Sequence, residues 1–315
     1  MRRIPQVAVL VPCLNEEASI AKVVHDFRSE LPQAVIFVYD NGSSDRTVEQ
    51  AKAAGAIVRT EPLRGKGNVM RRMFADVEAD IYVLVDGDST YHAPSVNRLV
   101  NLLVSESLDM VNGAREEQHH DAYRAGHRFG NRMLTGLVAW FFGARFKDML
   151  SGYRVMSRRF VKSFPALADG FEIETELTVH ALQLRLPIAE QMTPYRERPP
   201  SSSSKLRTIP DGIRIVKLIL RLIREERPLE FFTWASVFLF TLALIAGVPV
   251  VTEYFRTGLV PREPTAILAT GLMLLSFLSF SCGLVLATVT RGRIEAKRLK
   301  YLSVPIRYRE SANDG

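Results

Sequence analysis

Two long stretches without a charged residue constrain this chain more than any other feature. Residues 231–252 and 265–290 contain no Asp, Glu, Lys or Arg. At about 1.5 Å per helical residue, each stretch is long enough to cross a hydrocarbon core of roughly 30 Å. Core helices of soluble proteins rarely need uncharged runs of this length. We therefore expect two transmembrane helices joined by a short loop at 253–264.

Basic residues flank this apolar pair on both outer sides. Nine Lys and Arg residues lie between 196 and 227, and five more lie between 291 and 300. Because positive charge accumulates on the cytoplasmic side, both termini are predicted to be cytoplasmic in a multi-pass protein of the cell inner membrane. Within 206–230 we expect a basic amphipathic helix at the membrane interface, with four cations on one face: Arg214, Lys217, Arg221 and Arg224. The pattern favours anionic lipid, and no zinc spacing or aromatic-rich basic groove supports a nucleic-acid partner.

Short strand-like runs alternate with helical patterns in the first part of the chain. Strands are predicted at 7–11, 35–39, 56–59 and 81–85, and helices at 18–31, 47–54 and 68–77. This alternation is typical of an α/β domain with a parallel sheet, in which ligands bind at the carboxyl ends of the strands. Longer helical patterns at 129–142 and 173–186 extend the same domain. The two cysteines, Cys13 and Cys282, are too few for a disulfide framework or a metal cluster.

Polar turns follow three of the predicted strands, and the fold should bring them to one sheet edge. They are Asn15-Glu16, Asp40-Asn41 and Asp86-Gly87-Asp88. Two carboxylates placed two residues apart suit a hard divalent cation, Mg²⁺ or Mn²⁺, that would neutralise a diphosphate. Ordinary turn and helix-cap chemistry also explains Asn15 and Asp40. For Lys66, in the loop after the third predicted strand, the two interpretations are contact with a diphosphate and a solvated loop charge.

The ordered set of turns resembles the nucleotide-binding turns of family 2 glycosyltransferases. The resemblance rests on residues 11–17 (VPCLNEE), 40–45 (DNGSSD), 65–67 (GKG) and the Asp-Gly-Asp turn. Residues 151–154 (SGYR), 171–176 (FEIETE) and 204–206 (SKL) are similar to the polyprenyl-phosphate branch of that family. That branch contains the dolichol-phosphate mannose synthase-like enzymes and bacterial relatives with two C-terminal membrane helices.

The resemblance implies a GT-A fold, a Rossmann-like catalytic domain over residues 1–205. This domain would be followed by the interfacial helix at 206–230, the membrane hairpin at 231–290 and a cytoplasmic basic tail at 291–315.

The resemblance also implies a metal-dependent enzyme that transfers a sugar, with inversion at the anomeric carbon. The donor would be a UDP- or GDP-sugar and the acceptor undecaprenyl or another polyprenyl phosphate, for cell-envelope glycan or lipid modification. Asp86 and Asp88 would hold the metal, and the nucleotide sugar would contact Pro12, Asn15, Glu16, Asp40, Lys66 and Asp86. Thr90 stands where some relatives have a Gln that helps to hold the metal, so a third protein ligand stays open. Hairpins of this kind can also pack into homo-oligomers.

A group of arginines before the SGYR motif points to a phosphate acceptor. Arg124, Arg128 and Arg132 have the i, i+4, i+8 spacing of one helical face, and arginine suits bidentate phosphate recognition. A solvated helix face is the alternative. In the related enzymes this stretch forms an acceptor loop at the membrane surface. By that resemblance Arg128 grips the lipid phosphate, and Arg115, Asn131 and Arg132 assist it.

The acceptor decides which catalytic groups are needed. A phosphate monoester is largely dianionic at neutral pH, because its second pKa is near ~6, and it needs no general base. Arg128, Asp86, Asp88 and a sugar-binding Glu174 would then form the catalytic set. The alternative is transfer to a hydroxyl of a glycolipid or polysaccharide, with Glu174 or Glu176 as base. A nicotinamide-dependent enzyme is excluded, since the first turn lacks the G-x-G-x-x-G glycines. His180, one turn after Glu176, is interpreted as its partner on the helix surface.

Overall fold

The computed structural model describes residues 5–117, 148–170, 172–196 and 227–305, together with the single residues 136 and 224. These residues form two compact units. One draws on Met1–Ile215 and Lys297–Gly315, and the other on Val216–Ala296. The predicted helix at 129–142 and most of the predicted interfacial helix at 206–230 lie outside the described residues.

Within the described residues the α/β unit is built on a seven-stranded sheet with the order β3-β2-β1-β4-β6-β5-β7. Strands β1 to β4 are parallel to one another and β5 is parallel to β7, whereas β6 is antiparallel to both β4 and β5. The parallel arrangement expected for the first four strands is confirmed, and the sheet becomes mixed where β6 enters it. The residue pattern of a strand does not reveal its direction. The direction of β6 follows only from its antiparallel pairing with β4 and β5. The strands are β1 Val7–Cys13, β2 Val35–Asp40, β3 Ile57–Thr60, β4 Ile81–Leu84, β5 Met110–Glu117, β6 Arg154–Ser157 and β7 Ile188–Tyr195.

Helices cover this sheet, and the four that the sequence predicts within the described residues are confirmed with shifts of one or two residues at their ends. The first of them buries Ile20, Val23, Val24 and Phe27, the spacing of an amphipathic helix on a core. Strand β4 is buried at all four positions, as expected for a strand covered on both faces. The helices are α1 Ile20–Glu30, α2 Thr47–Ala53, α3 Lys66–Asp76, α4 Ser95–Ser105, α5 Arg158–Ser163 and α6 Ile173–Leu184.

The second unit contains two long helices, α7 Pro228–Thr257 and α8 Glu263–Ser303. Both are long and apolar enough to cross a membrane. The buried positions of α8 include Ala269, Ser276 and Gly283, which are seven residues apart. Small residues at this spacing allow two helices to approach closely. The Ser276 hydroxyl also donates a hydrogen bond of 3.0 Å to the Ser236 carbonyl on α7.

The last turns of α8, from Lys297 onward, belong to the α/β unit. The Tyr301 hydroxyl donates a hydrogen bond of 2.6 Å to Asp109 Oδ2. The Arg159 guanidinium lies 4.8 Å from the centre of the Tyr301 ring and bonds to the Val304 carbonyl. Part of the predicted basic tail at 291–315 is therefore a helical segment that packs on the α/β unit.

Candidate active site

The polar turns after β1 and β2 are bonded to each other at one edge of the sheet. The Asn41 N–H donates to the Cys13 carbonyl at 2.9 Å, and the Asn15 N–H donates to Ser43 Oγ at 2.8 Å. Because β4 is parallel to β1, its carboxyl end and the Asp86-Gly87-Asp88 turn lie at the same edge. The Ser19 hydroxyl joins this turn to the first one through a 2.8 Å bond to the Gly87 carbonyl.

Asn15 and Asp40 shape these turns with their own side chains. The Asp40 carboxylate is 3% exposed and accepts hydrogen bonds from the Gly42 and Ser43 N–H groups. Asn15 has a φ of 53° and accepts a 2.8 Å bond from the Ser44 N–H. Turn chemistry, one of the two interpretations from sequence, is therefore present at both residues. Their contact with a nucleotide, like that of the adjacent Pro12 and Glu16, stays a prediction.

Asn41 is a positioning residue, a role that the sequence did not assign to it within its polar turn. Its Nδ2 donates to the Glu61 and Leu63 carbonyls at 2.9 and 2.8 Å, and its Oδ1 accepts from the Gly65 N–H at 2.7 Å. A side-chain amide can serve both as donor and as acceptor, so this single residue fixes the loop that precedes Lys66. Its position directly after the terminal Asp40 of β2 was the available signal.

The segment at 65–67 packs against the loop at 166–169 at backbone distance. A Cβ added to Gly65 would lie 2.2 Å from the Asp169 carbonyl oxygen, and one added to Gly67 would lie 2.0 Å from that of Ala168. Gly65 also has a φ of 125°, which L side chains rarely adopt. The Gly67 N–H donates to the Asp169 carbonyl at 3.0 Å. The two glycines thus fix the backbone on either side of Lys66.

The Lys66 ammonium lies between two carboxylates. Its Nζ is 2.5 Å from Asp86 Oδ1 and 2.6 Å from Glu174 Oε1, with 11% of the Lys66 side chain exposed. Burial alone would lower the pKa of Lys66, but the charges of Asp86 and Glu174 outweigh it and raise that pKa. Burial raises the pKa of Glu174, while the adjacent ammonium opposes the rise. The alternative interpretation of Lys66 as a solvated loop charge is wrong.

The two carboxylates that the sequence predicts to hold a cation, those of Asp86 and Asp88, lie at this edge. The Asp86 carboxylate packs against Gly152, where an added Cβ would lie 2.3 Å from Oδ2. Asp88 is 2% exposed, and its Oδ1 accepts a 2.6 Å bond from the Thr90 hydroxyl. Thr90 therefore orients Asp88. In the part of the chain that the structure describes, no group of three or more His, Cys, Asp or Glu residues could hold a metal ion.

Glu174 and Glu176 have different surroundings although they are two residues apart on α6. Glu174 Oε2 is buried and has no hydrogen-bond partner among the described residues. An unpartnered buried carboxylate oxygen is costly unless a ligand hydroxyl completes it. The Glu176 carboxylate accepts bonds of 3.0 and 2.8 Å from the Leu167 and Ala168 N–H groups. Glu176 therefore holds the loop at 166–169, and Glu174 is the one that lies beside Asp86.

His180 lies in the interior, so its interpretation as a surface partner of Glu176 is wrong. It is 1% exposed, with its ring beside those of Phe160 and Phe164. Its Nε2 lies 3.2 Å from Ser163 Oγ. Burial lowers the pKa of His180 to about 3, so the ring is neutral at physiological pH.

Two arginines, Arg115 and Arg154, are held by protein groups. The Arg115 guanidinium forms a bidentate pair with Asp148, at 2.7 and 2.8 Å. Arg154 is fully buried and donates to the Met149 carbonyl, the Ser151 carbonyl and Thr178 Oγ1. These hydrogen bonds connect the segment at 149–151 to helix α6. Burial lowers the pKa of Arg154 to about 10. The other predicted acceptor residues, Arg128, Asn131 and Arg132, lie outside the described residues.

Comparison with known proteins identifies the family. The profile described as Glycosyl transferase family 2 matches residues 8–162. Glycosyltransferase AglJ of Haloferax volcanii is 35% identical over 228 residues, which cover 72% of this chain and 75% of AglJ. The chain belongs to glycosyltransferase family 2. A dolichyl-phosphate hexose transferase from the same organism is 27% identical over 220 residues, 70% of this chain and 95% of that protein.

The solved structures confirm the fold of this glycosyltransferase. Glucosyl-3-phosphoglycerate synthase of Mycobacterium tuberculosis, in complex with Mn²⁺ and UDP-glucose, superposes with a TM-score of 0.57 at 26% identity. The match covers 70% of this chain and 78% of that one. The predicted GT-A α/β domain and the predicted glycosyltransferase activity are therefore confirmed, and the relatives are consistent with the polyprenyl-phosphate branch.

Proposed function

We propose that this glycosyltransferase moves a sugar from a UDP- or GDP-sugar to a polyprenyl phosphate, such as undecaprenyl phosphate, with inversion at the anomeric carbon. The observation that carries the proposal is the pairing of Asp86 and the buried Glu174 through Lys66 at the carboxyl edge of the sheet. The pairing brings a cation and two carboxylates together at the edge where we expect the sugar diphosphate to bind. The similarity to a dolichyl-phosphate hexose transferase supports a lipid phosphate as the acceptor.

Asp86 and Asp88 would hold a divalent ion, Mg²⁺ or Mn²⁺. Both side chains supply the hard oxygen ligands that these ions prefer. Thr90 orients Asp88, and Gly152 leaves room for Asp86. The diphosphate and water would complete the coordination. A bound divalent ion supplies charge neutralisation to the departing diphosphate. The Mn²⁺ and UDP-glucose in the related M. tuberculosis structure support this choice.

Side chains on several elements of the protein would act on the donor directly. The Lys66 ammonium would stabilise negative charge on the diphosphate oxygens. The unpartnered Glu174 Oε2 would accept a hydrogen bond from a sugar hydroxyl and so orient the ring for attack. The turn that Asp40 closes, together with Pro12, Asn15 and Glu16, would bound the nucleoside.

The acceptor would be held by arginine rather than activated by a base. A phosphate monoester carries its negative charge at neutral pH without help. Arg128 would bind that phosphate with Asn131 and Arg132 beside it. Arg115 is engaged by Asp148, so we assign it to shaping the acceptor side. Helices α7 and α8 would anchor the enzyme in the membrane that contains the lipid, with both termini on the cytoplasmic side.

Purified full-length protein in detergent tests this function. Radiolabelled UDP- and GDP-sugars are offered with undecaprenyl phosphate and Mg²⁺ or Mn²⁺, and label is counted in the lipid fraction. We expect transfer from one donor, and its loss in excess EDTA and in Asp88→Asn. Asp26→Asn, on the exposed face of α1, is the matched control and should retain activity. Full activity in EDTA would refute the metal site, and unlabelled lipid with every donor would refute the acceptor.

Transfer to a hydroxyl is the second candidate, because Glu174 lies buried in the site with a raised pKa. A base in that role would add a limb to the pH–rate profile that disappears in Glu174→Gln. With a phosphate acceptor, Glu174→Gln lowers the rate but leaves the shape of the profile unchanged. Comparing the two profiles separates the candidates.

A further inference from the structure

The observed position of the Lys66 ammonium conflicts with the site that the metal would take. Lys66 Nζ bonds to Asp86 Oδ1 at 2.5 Å. A divalent ion bonded to the same oxygen, at about 2.1 Å, would lie within ~5 Å of the ammonium. Like charges at that separation repel strongly inside a protein. Asp86 therefore cannot serve both cations well at the same time.

We propose, building on the function given above, that Lys66 is an internal counter-cation that competes with the divalent metal for Asp86 until the donor binds. When a sugar diphosphate binds, its oxygens accept hydrogen bonds from the Lys66 ammonium. The ammonium then leaves Asp86 Oδ1, and the metal can bind there. The enzyme then takes up metal together with its donor, and binds metal only weakly before.

The contacts around Lys66 restrict this exchange to its side chain. The backbone at 65–67 is pressed against the carbonyls of Ala168 and Asp169. The opposing loop is fixed in turn by Arg71, whose Nε donates to the Ala166 carbonyl at 2.8 Å, and by Glu176. Neither segment can retreat without breaking these bonds. The four-carbon stem of lysine is flexible, so the ammonium can leave Asp86 while its Cα stays in place.

Glu174 gives the ammonium a second, fixed partner. Its side chain is 6% exposed, and Nζ lies 2.6 Å from Oε1. An ammonium that leaves Asp86 therefore need not leave the site, and its charge remains beside the diphosphate. This arrangement explains why a site for a cation contains a buried lysine between two acids. A permanent Lys66–Asp86 pair would only weaken the metal site.

A pair of variants isolates the effect of the ammonium. Lys66→Met alone would leave Glu174 as a buried, unpaired charge, which is strongly destabilising. We therefore compare Glu174→Gln with the double variant Lys66→Met/Glu174→Gln, which differ only in the ammonium. Mn²⁺ binding to each full-length protein is measured in detergent without nucleotide, by calorimetry or by the EPR signal of free Mn²⁺.

We expect the double variant to bind Mn²⁺ at least tenfold more tightly than Glu174→Gln, which corresponds to about 1.4 kcal/mol. Lys162→Met is the control for net charge. Lys162 is similarly buried, and it bonds to the Phe74 and Val77 carbonyls before the amino end of β4, away from Asp86. Its loss should leave Mn²⁺ affinity unchanged. Equal or weaker binding by the double variant would overturn the proposal.

Two further measurements keep the test decisive. If the double variant does not fold, Lys66→Gln/Glu174→Gln, whose amide at position 66 can still donate to Asp86, is titrated against Glu174→Gln with the same expectation. Sugar transfer by the wild type is measured in parallel. Absence of transfer would count against the proposed function, whereas transfer combined with equal Mn²⁺ affinities would overturn only the role of Lys66.

Discussion

Replacing Gly152 by alanine should displace Asp86 and little else. The new Cβ would lie 2.3 Å from Asp86 Oδ2 and 2.7 Å from its Cγ. The backbone of Gly152 has little freedom to retreat, because its N–H donates to the Tyr91 hydroxyl at 2.7 Å and the neighbouring Ser151 hydroxyl bonds to the Gly113 carbonyl at 2.6 Å. The Asp86 carboxylate must therefore move.

The size of that movement sets the expected effect. Ordinary van der Waals contact begins at 3.4 Å, so Oδ2 has to retreat by about 1 Å. A displacement of this size in a catalytic group costs roughly 10²-fold in rate. It also weakens the 2.5 Å pair with Lys66. Overpacking at a tight site adds a stability loss of about 1–3 kcal/mol.

Steady-state sugar transfer and thermal unfolding, both in detergent, separate the two effects. Gly113→Ala is the matched control, because its Cβ would meet Tyr153 at 3.0 Å rather than Asp86. We expect both variants to lose stability, and only Gly152→Ala to lose about two orders of magnitude in kcat/KM. If Gly152→Ala stays within threefold of the wild type, Asp86 is not held where the structure places it.

Three other predictions concern stability and the loop beside Lys66. Burial keeps His180 neutral, with a pKa of about 3 against 6.5 when exposed, so its contribution to stability is present above pH 6.5 and is lost as pH falls toward 3. Between pH 8 and pH 5 we expect a loss of about 2 kcal/mol that His180→Leu abolishes, and an unchanged pH dependence of thermal unfolding in that variant would contradict the assignment. Tyr301→Phe removes the bond to Asp109 and should cost about 1–2 kcal/mol; an unchanged Tm would show that the end of α8 does not stabilise the α/β unit. Glu176→Gln loses one of two N–H partners in the loop and should lower kcat at every pH alike, whereas loss of a single pH limb would identify Glu176 as a base.

The local pattern of the sequence predicted the strands and turns at the carboxyl edge of the sheet. Strand alternation placed Asp40 and Asp86 at strand ends, and the parallel pairing of β1, β2 and β4 then brought their turns to one edge. The contact between Lys66 and Glu174 could not be predicted from the sequence. The two residues are 108 positions apart, and no periodicity links a loop to a distant helix. The same holds for Gly152 against Asp86, which depends on β6 lying beside β4.

Helix α6 shows why polarity alone misplaced a side chain. Its buried residues include Glu174, Thr175, Thr178 and His180 as well as the apolar ones. Because nearly every face of α6 is covered by protein, the polarity of a residue on this helix does not indicate whether it is exposed. For this reason the surface position predicted for His180 is wrong. The end of α8 is a related case. Its basic composition carries no sign of the contacts that Tyr301 makes with Asp109 and Arg159 of the α/β unit.

The oxygen that receives the sugar is the most direct test of the proposed reaction. Phosphorus-31 NMR of undecaprenyl phosphate, recorded during turnover with the active donor, reports on that oxygen. A phosphate monoester titrates near pH ~6 because of its second ionisation. We predict that the lipid phosphate signal moves to that of a diester and no longer shifts with pH. A lipid phosphate that still titrates after the donor has lost its sugar would show that the sugar was not transferred to the lipid phosphate, and would contradict the proposal.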